Sequence, residues 1–389
     1  MHRFSFSPIA PLLLAGMAAL PMRVCAQDAS VLAPWHVFIG TYTGGDSEGI
    51  YLLTLDPETG QLTRVGIAAK TQNPSFLALH PTKPILYAVG ELPADAAHPG
   101  GTVSAFRIDE ESGMLTLLNQ ESSKGPGPCH AAVAPSGRHV AVANYGGGSI
   151  ALLPVQEDGS LGAASAFVQH EGKSANPKRQ EGPHAHSVNF DRAGTFLFAA
   201  DLGVDKVFIY RYDGDKGLLT ANQPAFASLA PGAGPRHFTF HPAGHAAYVV
   251  NELDNTVSYF TYDAEAGRLD FVDAYTTLPD GFEGVNHTAE IRVDPLGNYL
   301  YASNRGHDSI ASFLIHPDAG TLIARGHTST GGKTPRNFNL DPEGRYLLAA
   351  NQDSGNIVVF RVNPGLGTLE PTGSSVEIPS PVCVVFRKR

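Results

Sequence analysis

The clearest pattern in the sequence is Gly234-Pro-Arg-His-Phe-Thr-Phe-His-Pro-Ala-Gly244, followed by Ala247-Tyr-Val-Val-Asn-Glu252 and Thr256-Val-Ser-Tyr-Phe260. Aromatic and β-branched residues dominate these three short runs, and such residues favour β-strands. His-Pro-Ala-Gly forms the first turn and Glu-Leu-Asp-Asn the second, since Pro, Gly, Asp and Asn favour turns. A fourth predicted strand, residues 268–274, follows an acidic turn that ends at Gly267. The stretch therefore predicts four antiparallel strands joined by tight turns.

This four-strand unit recurs along the chain. When the units are aligned on the second residue of the first turn, successive anchors lie 54, 57, 50, 53 and 47 residues apart. Four strands in a period of about 40–50 residues are typical of a β-propeller blade. No long segment shows the 3.6-residue period of a helix, which excludes a helical fold. The anchors are Pro81, Pro135, Arg192, Pro242, Pro295 and Pro342.

The two ends of the chain supply a seventh unit. Residues 36–65 match strands two to four without a first strand, and residues 381–386 match a first strand alone. A blade built from both termini closes the ring and removes its open edges. The prediction is an all-β, seven-bladed β-propeller with four antiparallel strands per blade, closed by the N-terminal strands plus the C-terminal strand. It forms a single domain, residues 27–389.

The first residues have the features of an export signal. His2 and Arg3 precede an apolar run at 9–20, and Val24-Cys25-Ala26 resembles a signal-peptidase site. The run is too short for a permanent membrane anchor. Residues 1–26 are therefore predicted to be a signal peptide, and the mature protein to be periplasmic or secreted, with no stable membrane anchor.

Charge and cysteine content restrict the partners and the covalent chemistry. The formal net charge of −10 disfavours a nucleic-acid surface, which needs a basic face. Cys129 and Cys383 remain after signal cleavage and fall on non-adjacent units, so both are predicted to be free thiols. We expect a monomer that acts on a small molecule.

Three columns of the repeat place unlike polar residues on one rim of the ring. The first strand of a blade lies nearest the axis, so its start, the end of the second strand and the inter-blade loops share a rim. These loops are the long ones, above all 163–183 and 274–286, and sites are usually built on such loops. A ring built only for stability would repeat one residue type in each column, so this asymmetry indicates function. The columns lie six and five residues before each anchor and ten after it, and include His130, Tyr145, His186, Arg236, His237, Glu252, Glu290, Arg305 and Arg336.

Each of these groups also has a structural interpretation. The arginines can form ion pairs between blades with Glu252 or Glu290, and a single histidine is commonly a hydrogen-bonded packing residue. His184 and His186 lie two apart on a strand, are expected to face one side and could bind a metal. Because no third ligand has diagnostic spacing, no metal is predicted.

No cysteine nucleophile is predicted either. Cys129 and His130 are adjacent on a strand, where neighbouring side chains point to opposite faces.

Several motifs fall in register with the repeat: Gly182-Pro-His-Ala-His186, Gly234-Pro-Arg-His237, Asn251-Glu-Leu253, Ser303-Asn-Arg-Gly306 and Thr334-Pro-Arg-Asn-Phe338. In these motifs the chain resembles the lactonase family of seven-bladed propellers, which includes the propeller-type 6-phosphogluconolactonases and the fungal carboxymuconate-lactonizing enzyme. The resemblance covers residues 36–389. It implies a site without metal or cofactor on one face of the ring and, by analogy with the muconate enzyme, His186, Arg236 and Glu252 as catalytic residues.

The resulting hypothesis is a 6-phosphogluconolactonase-like lactonase that hydrolyses a sugar-acid lactone. His186 or Glu252 would remove a proton from the attacking water, and Arg236 would stabilise the oxyanion. Other cations would hold a carboxylate or phosphate of a small anionic lactone or sugar acid. The predicted substrate-binding residues are His130, Tyr145, His184, His237, Glu290, Arg305 and Arg336.

Two alternatives stay open on the sequence alone. A cycloisomerase of the carboxymuconate type would use the same residues to move a proton on a diacid. A non-enzymatic interaction platform would instead show exposed aromatic patches on the rim and would not depend on Glu252.

Overall fold

Antiparallel β-strands make up all the regular structure of the described residues, which in this computed structural model are 1–8, 33–94 and 100–389. Residues 33–389 form one compact unit, and residues 1–8 have no regular secondary structure. The predicted signal-peptidase site at 24–26 lies outside the described residues. Within these ranges, no helix has the length and apolar character needed to cross a bilayer.

The described strands form seven four-stranded sheets, each a blade. β1 (Trp35–Thr41), β2 (Gly49–Leu55) and β3 (Leu62–Lys70) begin the chain. Blade 1 is β4 (Leu77–Leu79), β5 (Ile85–Gly90), β6 (Thr102–Ile108) and β7 (Leu115–Ser122). Blade 2 is β8 (Pro128–Val133), β9 (His139–Asn144), β10 (Ser149–Pro154) and β11 (Ala166–Gln169). Blade 3 is β12 (Ala185–Phe190), β13 (Phe196–Asp201), β14 (Lys206–Asp213) and β15 (Leu218–Ser228).

The second half of the ring repeats this pattern. Blade 4 is β16 (Pro235–Phe240), β17 (Ala246–Asn251), β18 (Thr256–Asp263) and β19 (Arg268–Thr276). Blade 5 is β20 (His287–Val293), β21 (Tyr299–Arg305), β22 (Ser309–Ile315) and β23 (Leu322–Ser329). Blade 6 is β24 (Pro335–Leu340), β25 (Tyr346–Asn351), β26 (Asn356–Val362) and β27 (Leu369–Glu377). Blade 7 is β28 (Pro381–Lys388) with β1, β2 and β3.

The predicted ring closure is confirmed. β1 pairs with β28 in antiparallel register, with Val37 opposite Phe386 and Ile39 opposite Val384. The first strand of each blade contacts the first strand of the next, so these strands surround the central axis. The seven-bladed, all-β prediction therefore holds, including the blade made from both termini.

Buried tyrosines connect neighbouring blades. The hydroxyl groups of Tyr87, Tyr248 and Tyr301 donate to backbone carbonyl oxygens in the outer hairpin of the following blade, at 2.7–3.0 Å. Each ring is buried in the hydrophobic layer between two sheets. A tyrosine suits this place because its ring packs while its hydroxyl still finds a partner. These contacts help to make a rigid ring on which a site can be held.

Both long loops are shorter than predicted: β19 extends to Thr276, and the larger difference is in blade 2. The segment 163–183, read as an inter-blade loop, contains β11, which pairs with β10 and completes blade 2. β11 is only four residues long and its Phe167 is exposed, so its sequence has little of the pattern of a buried strand. Pairing with the open edge of β10, a tertiary contact, makes it a strand.

Candidate active site

A β-bulge occurs near the start of the first strand in blades 2 to 6. In blade 4, Pro235 pairs with Asn251 and His237 pairs with Val250, so Arg236 is the extra residue between them. A bulge bends its strand and re-aims a side chain. The other bulges lie at Cys129, His186, Arg336 and, in blade 5, at residues 289–290. Five of the six positions that lie six residues before an anchor are therefore at a bulge, so one backbone irregularity sets the direction of most of that column.

In blade 4 the bulge brings two neighbouring side chains together, against the alternation of a regular strand. Arg236 Nη1 donates to His237 Nε2 at 3.2 Å, so these adjacent residues meet. A bulge also interrupts the segments around Cys129 and His186. Cys129 nevertheless contacts His186 while His130 packs on Phe76, and the rings of His184 and His186 both contact Tyr145, as expected from the sequence.

The bulged side chains and the ends of the second strands surround a pocket near the axis. Its volume is about 320 Å³. A small chamber of about 10 Å³, which shares Glu91, Cys129, His186 and Arg336 with it, also borders Arg236 and His237. The residues that line the larger pocket are Glu91, Cys129, Tyr145, Arg179, His186, Glu252, His287, Arg305 and Arg336.

Glu252 is the counter-ion of an arginine cluster in this pocket. Its Oε2 lies 3.0 Å from Arg236 Nε and 2.8 Å from Arg305 Nη2. Its Oε1 accepts a hydrogen bond from Arg179 Nη2 at 2.7 Å. Burial by itself would raise the pKa of Glu252, but Arg305, Arg236 and the other neighbouring cations outweigh it and hold that pKa well below its usual range. A carboxylate held in this way is a weak base.

Arg236 is buried and has most of its hydrogen-bonding capacity used. Nε donates to Glu252, and Nη1 donates to His237 and, at 2.7 Å, to the carbonyl oxygen of Ala289. Nη2 makes no hydrogen bond to any residue that the structure describes. The fixed guanidinium therefore retains one donor group for a ligand.

His186 has the properties of a neutral base. Its ring is buried, and its edge faces Tyr145 and His237 with centroid distances of 5.3 Å to each. Burial, followed by the charge of Arg236, lowers the pKa of His186 well below 6.5. The imidazole is therefore uncharged at neutral pH and able to accept a proton.

Cys129 lies beside His186 but is a poor nucleophile. Its Sγ is 3.7 Å from His186 Nδ1 and 3.3 Å from the carbonyl oxygen of His186, to which the thiol donates. Burial, with Glu91 adding to it, raises the pKa of the Cys129 thiol. Since the thiolate is the reactive form, the thiol is inert at neutral pH. Cys129 and Cys383 are both free, as predicted.

Arg336 is a cation with open donors. It makes no hydrogen bond or ion pair within the described part of the chain, and its guanidinium lies 5.4 Å from the centre of the Tyr42 ring. The nearby carboxylate of Glu91 instead accepts hydrogen bonds from Tyr42 Oη, at 3.0 Å, and from Ser75 Oγ. Arg336 is thus available to an anionic ligand.

Not every predicted substrate-binding residue lines the pocket. Tyr145, Arg305 and Arg336 do, and His237 borders the small chamber. His184 stacks flat against Tyr145 at 4.6 Å, so it supports the wall from behind.

His130 and Glu290 belong to a polar layer below the pocket. The His130 ring packs on Phe76 at 4.0 Å. Glu290 accepts hydrogen bonds from His237 Nδ1 at 3.1 Å and from Asn337 Nδ2. Both side chains are buried and hold their neighbours in place.

Four lining residues are not among the predicted site residues: Glu91, Cys129, Arg179 and His287. Glu91 and Cys129 stand in the polar columns of the repeat, ten residues after and six before their anchors. Arg179 comes from the loop after β11 and also donates to Tyr145 Oη at 3.1 Å. Its loop was singled out by length alone. His287 stands eight residues before its anchor, in register with His184, and its Nδ1 is buried without a partner among the described residues. This shared position in the repeat is the sequence feature from which His287 could have been predicted as a site residue.

The donor set does not form a metal site in the described ranges. No group of three or more His, Cys, Asp or Glu residues positioned to hold a metal ion occurs in them. The pocket is instead dominated by guanidinium groups, which bind carboxylates and phosphates.

Comparisons with known proteins agree with this geometry. Residues 36–386 match the family described as "Lactonase, 7-bladed beta-propeller". The chain is 40% identical over 349 residues to the 6-phosphogluconolactonase of Bacillus subtilis, covering 90% of this chain and 97% of that protein. It is 36% identical over 309 residues to the 6-phosphogluconolactonase of Formosa agariphila, covering 78% and 85%.

The solved structures give the same result. The structure of the periplasmic gluconolactonase of Pseudomonas aeruginosa superposes with a TM-score of 0.85 at 35% identity. The superposition covers 91% of this chain and 99% of that one.

Proposed function

The chain belongs to the lactonase family of seven-bladed β-propellers, and from that premise we propose that it is a 6-phosphogluconolactonase-like hydrolase that opens the lactone ring of a sugar acid. The observation that carries the proposal is that a neutral buried histidine and an unpaired arginine line the pocket, while an arginine with one open nitrogen borders the small chamber beside it. A base, an oxyanion donor and an anion-binding group are what lactone hydrolysis requires.

His186 is proposed as the general base. It takes a proton from the attacking water as the water oxygen bonds to the carbonyl carbon. A positioned base contributes typically about 10²–10⁴-fold, and it must be unprotonated at the working pH to act. The lowered pKa of His186 keeps its ring unprotonated at neutral pH, and the ring makes no hydrogen bond to a guanidinium group of the described residues. Both carboxylate oxygens of Glu252, in contrast, are bound by arginines.

Arg236 is proposed as the oxyanion donor. The tetrahedral intermediate places a negative charge on the former carbonyl oxygen, and Arg236 Nη2 has an open donor for it. When the ring C–O bond breaks, the proton held by His186 passes to the leaving alkoxide, which yields the hydroxy acid. Glu252 does not act as the base in this mechanism. Its carboxylate accepts a hydrogen bond from Arg236 Nε and so fixes the position of the guanidinium group.

Arg336 is proposed to hold the anionic group of the substrate. Four arginines (Arg179, Arg236, Arg305 and Arg336) and two glutamates (Glu91 and Glu252) surround the two cavities. The local excess of positive charge, in a chain of net charge −10, favours a small anion such as a phosphorylated lactone. A non-phosphorylated gluconolactone is the second candidate, because the P. aeruginosa relative is named a periplasmic gluconolactonase.

The test is a substrate panel with purified residues 27–389. Proton release is measured on 6-phosphogluconolactone, gluconolactone and a carboxymuconate lactone, with the spontaneous rate subtracted and with and without chelator. We expect turnover of a sugar lactone that Arg236→Ala abolishes and that Arg325→Ala, an exposed arginine on β23, leaves unchanged. No turnover of either sugar lactone, or equal loss in both variants, would refute the proposal. Turnover of the muconate lactone alone would favour the cycloisomerase.

Metal independence, export and a monomeric state are further parts of this proposal. The arginine-rich lining supports the first, and the charged start, apolar run and small-residue end of residues 1–26 support export. Unchanged rates in chelator, recovery of the processed chain outside the cytoplasm and a mass of one chain by light scattering are the expected results.

A further inference from the structure

A residue with positive φ occupies the same place in the turn between the second and third strands of blades 2 to 6. The carbonyl oxygen of this residue accepts a hydrogen bond of 2.9–3.0 Å from the amide that follows the fourth strand. Glycine is the usual choice for such a conformation. The residues, thirteen positions after each anchor, are Gly148, Asp205, Asn255, Asp308 and Gly355, with φ between 52° and 66°. Because the backbone role needs no side chain, the three polar side chains need a separate explanation.

The carboxylate of Asp205 joins two segments that reach the pocket. It is 4% exposed. Oδ1 accepts from Gly234 N at 2.6 Å and from Gln180 Nε2 at 2.8 Å. Oδ2 accepts from Gly232 N at 2.7 Å and from Ser174 Oγ. Each oxygen therefore has two donors from the described residues, all uncharged.

Both segments carry arginines of the site. Gly234 lies two residues before Arg236, and its carbonyl oxygen accepts from Glu252 N at 2.7 Å. Gln180 adjoins Arg179, which contacts Glu252 from the other side. Asp205 thus fixes the backbone on both sides of the Glu252 cluster without touching the pocket itself.

The same arrangement recurs one and two blades further on. Asp308 Oδ1 accepts from Thr334 N at 2.8 Å, two residues before Arg336. Thr334 has φ +60°, a costly conformation for a β-branched residue, so its backbone needs support. Asn255 Oδ1 accepts from Asn286 Nδ2 at 2.9 Å, next to the pocket residue His287.

The two glycines in this series, Gly148 and Gly355, stand where a polar side chain would have no pocket residue to position or no space. Gly355 precedes blade 7, and none of the described residues of β28 lines the 320 Å³ pocket. At Gly148 a Cβ would lie 2.3 Å from the carbonyl oxygen of Pro183, so close packing leaves no room for a side chain.

We propose that Asp205 and Asp308 are positioning residues of the lactonase site: each carboxylate, in the turn of one blade, fixes the backbone from which the next blade projects a pocket arginine. Asp205 fixes the positions of Arg236 and of the loop that carries Arg179, and Asp308 fixes the position of Arg336. The kinetic consequence rests on the proposed function, while the structural consequence does not.

The kinetic test compares glycine variants, which keep the positive φ. Asp205→Gly is expected to lower kcat about 10–100-fold, because small misplacements of catalytic groups have effects of this size. Asp308→Gly is expected to raise KM for an anionic lactone with kcat nearly unchanged. The matched control is Asp191→Gly: Asp191 is equally buried and accepts from the amides of Thr195 and Phe196 in a hairpin turn, away from the pocket. It should lower Tm and leave both constants unchanged.

A second measurement does not depend on catalysis. Amide hydrogen exchange should rise in Asp205→Gly at residues 171–182 and 232–237, and in Asp308→Gly at 332–337, relative to the control. If the wild type turns over no lactone, the proposed function fails and this exchange pattern still tests the positioning role. Unchanged exchange in these segments, or kinetic constants like those of the Asp191 control, would overturn the proposal.

Discussion

Replacing Glu252 by Gln separates its role as a counter-ion from a role as the base. The substitution keeps the shape and one acceptor oxygen but removes the charge that three guanidinium groups share. If Glu252 is a counter-ion, stability and kcat should fall, while the pH dependence set by His186 should remain. If Glu252 is the base, the acid limb of the pH profile should disappear with it.

The size of the stability loss follows from the exposure of the three partners. The side chains of Arg236 and Arg305 are 3% and 13% exposed, so removing their counter-ion costs about 3–5 kcal/mol, as for one partner of a buried ion pair. Arg179 is 34% exposed, and solvent screening reduces its share to below about 1 kcal/mol. The contacts to Arg236 and Arg305 therefore dominate, and the total loss in the free energy of unfolding is about 3–5 kcal/mol.

This loss is measurable by thermal unfolding. For a domain of this length the unfolding entropy is about 0.7–0.8 kcal/mol/K, so Tm should fall by about 4–7 °C. Glu121→Gln, on the partly exposed fourth strand of blade 1, is the control and should leave Tm unchanged.

The kinetic part of the experiment uses initial rates of proton release between about pH 5 and pH 7.5. Glu252→Gln should lower kcat because Arg236 loses its anchor, and should keep the fall in kcat/KM toward acid pH that protonation of His186 causes. His186→Asn should remove that acid limb and lower kcat by about 10²–10⁴-fold. Loss of the limb in Glu252→Gln together with its survival in His186→Asn would refute the assignment.

Arg336→Met should raise KM for a phosphorylated lactone about 10–100-fold, which corresponds to the loss of one hydrogen bond to a charged group, and should raise KM for a neutral lactone less. Equal increases of KM for the two lactones in steady-state kinetics would contradict the role of Arg336 in binding the anionic group. Cys129→Ser should keep kcat within roughly twofold, because the thiol stays protonated; a loss of about 100-fold would identify a nucleophile. His130, His186 and His237 are buried and neutral, with pKa values lowered well below 6.5, mainly by burial. Below about pH 6.5 the unfolded chain binds more protons than the folded chain. The free energy of unfolding should therefore fall toward acid pH by up to about 1.4 kcal/mol per pH unit for each histidine. Denaturant titrations that show no such slope between about pH 6.5 and 5 would contradict the neutral state of these three histidines.

The seven-bladed ring and the polar rim could be predicted from the amino-acid sequence. Turn residues and β-branched strands recur with a fixed order, and local propensity and side-chain alternation suffice to predict such a pattern. The N-terminal unit lacks a first strand and the C-terminal segment supplies one, so the pairing of β1 with β28 that closes the ring was also predictable. The columns that contain His186, Arg236 and Glu252 followed from the same register, and the structure brings these residues together.

The chemistry of the individual side chains depends on contacts that form only in the folded protein. The bulge at Arg236 depends on pairing with β17, and it breaks the alternation on which a reading of single strands relies. Arg179 arrives from a loop in another blade, and its charge joins those of Arg236 and Arg305 around Glu252.

The chemistry of each group therefore depends on distant neighbours. A carboxylate with an ordinary pKa could have been the base, but buried arginines from different blades make it a counter-ion, and burial makes His186 the neutral partner. Desolvation and Coulomb interactions act through space between residues far apart in the chain, so the repeat pattern alone does not contain them.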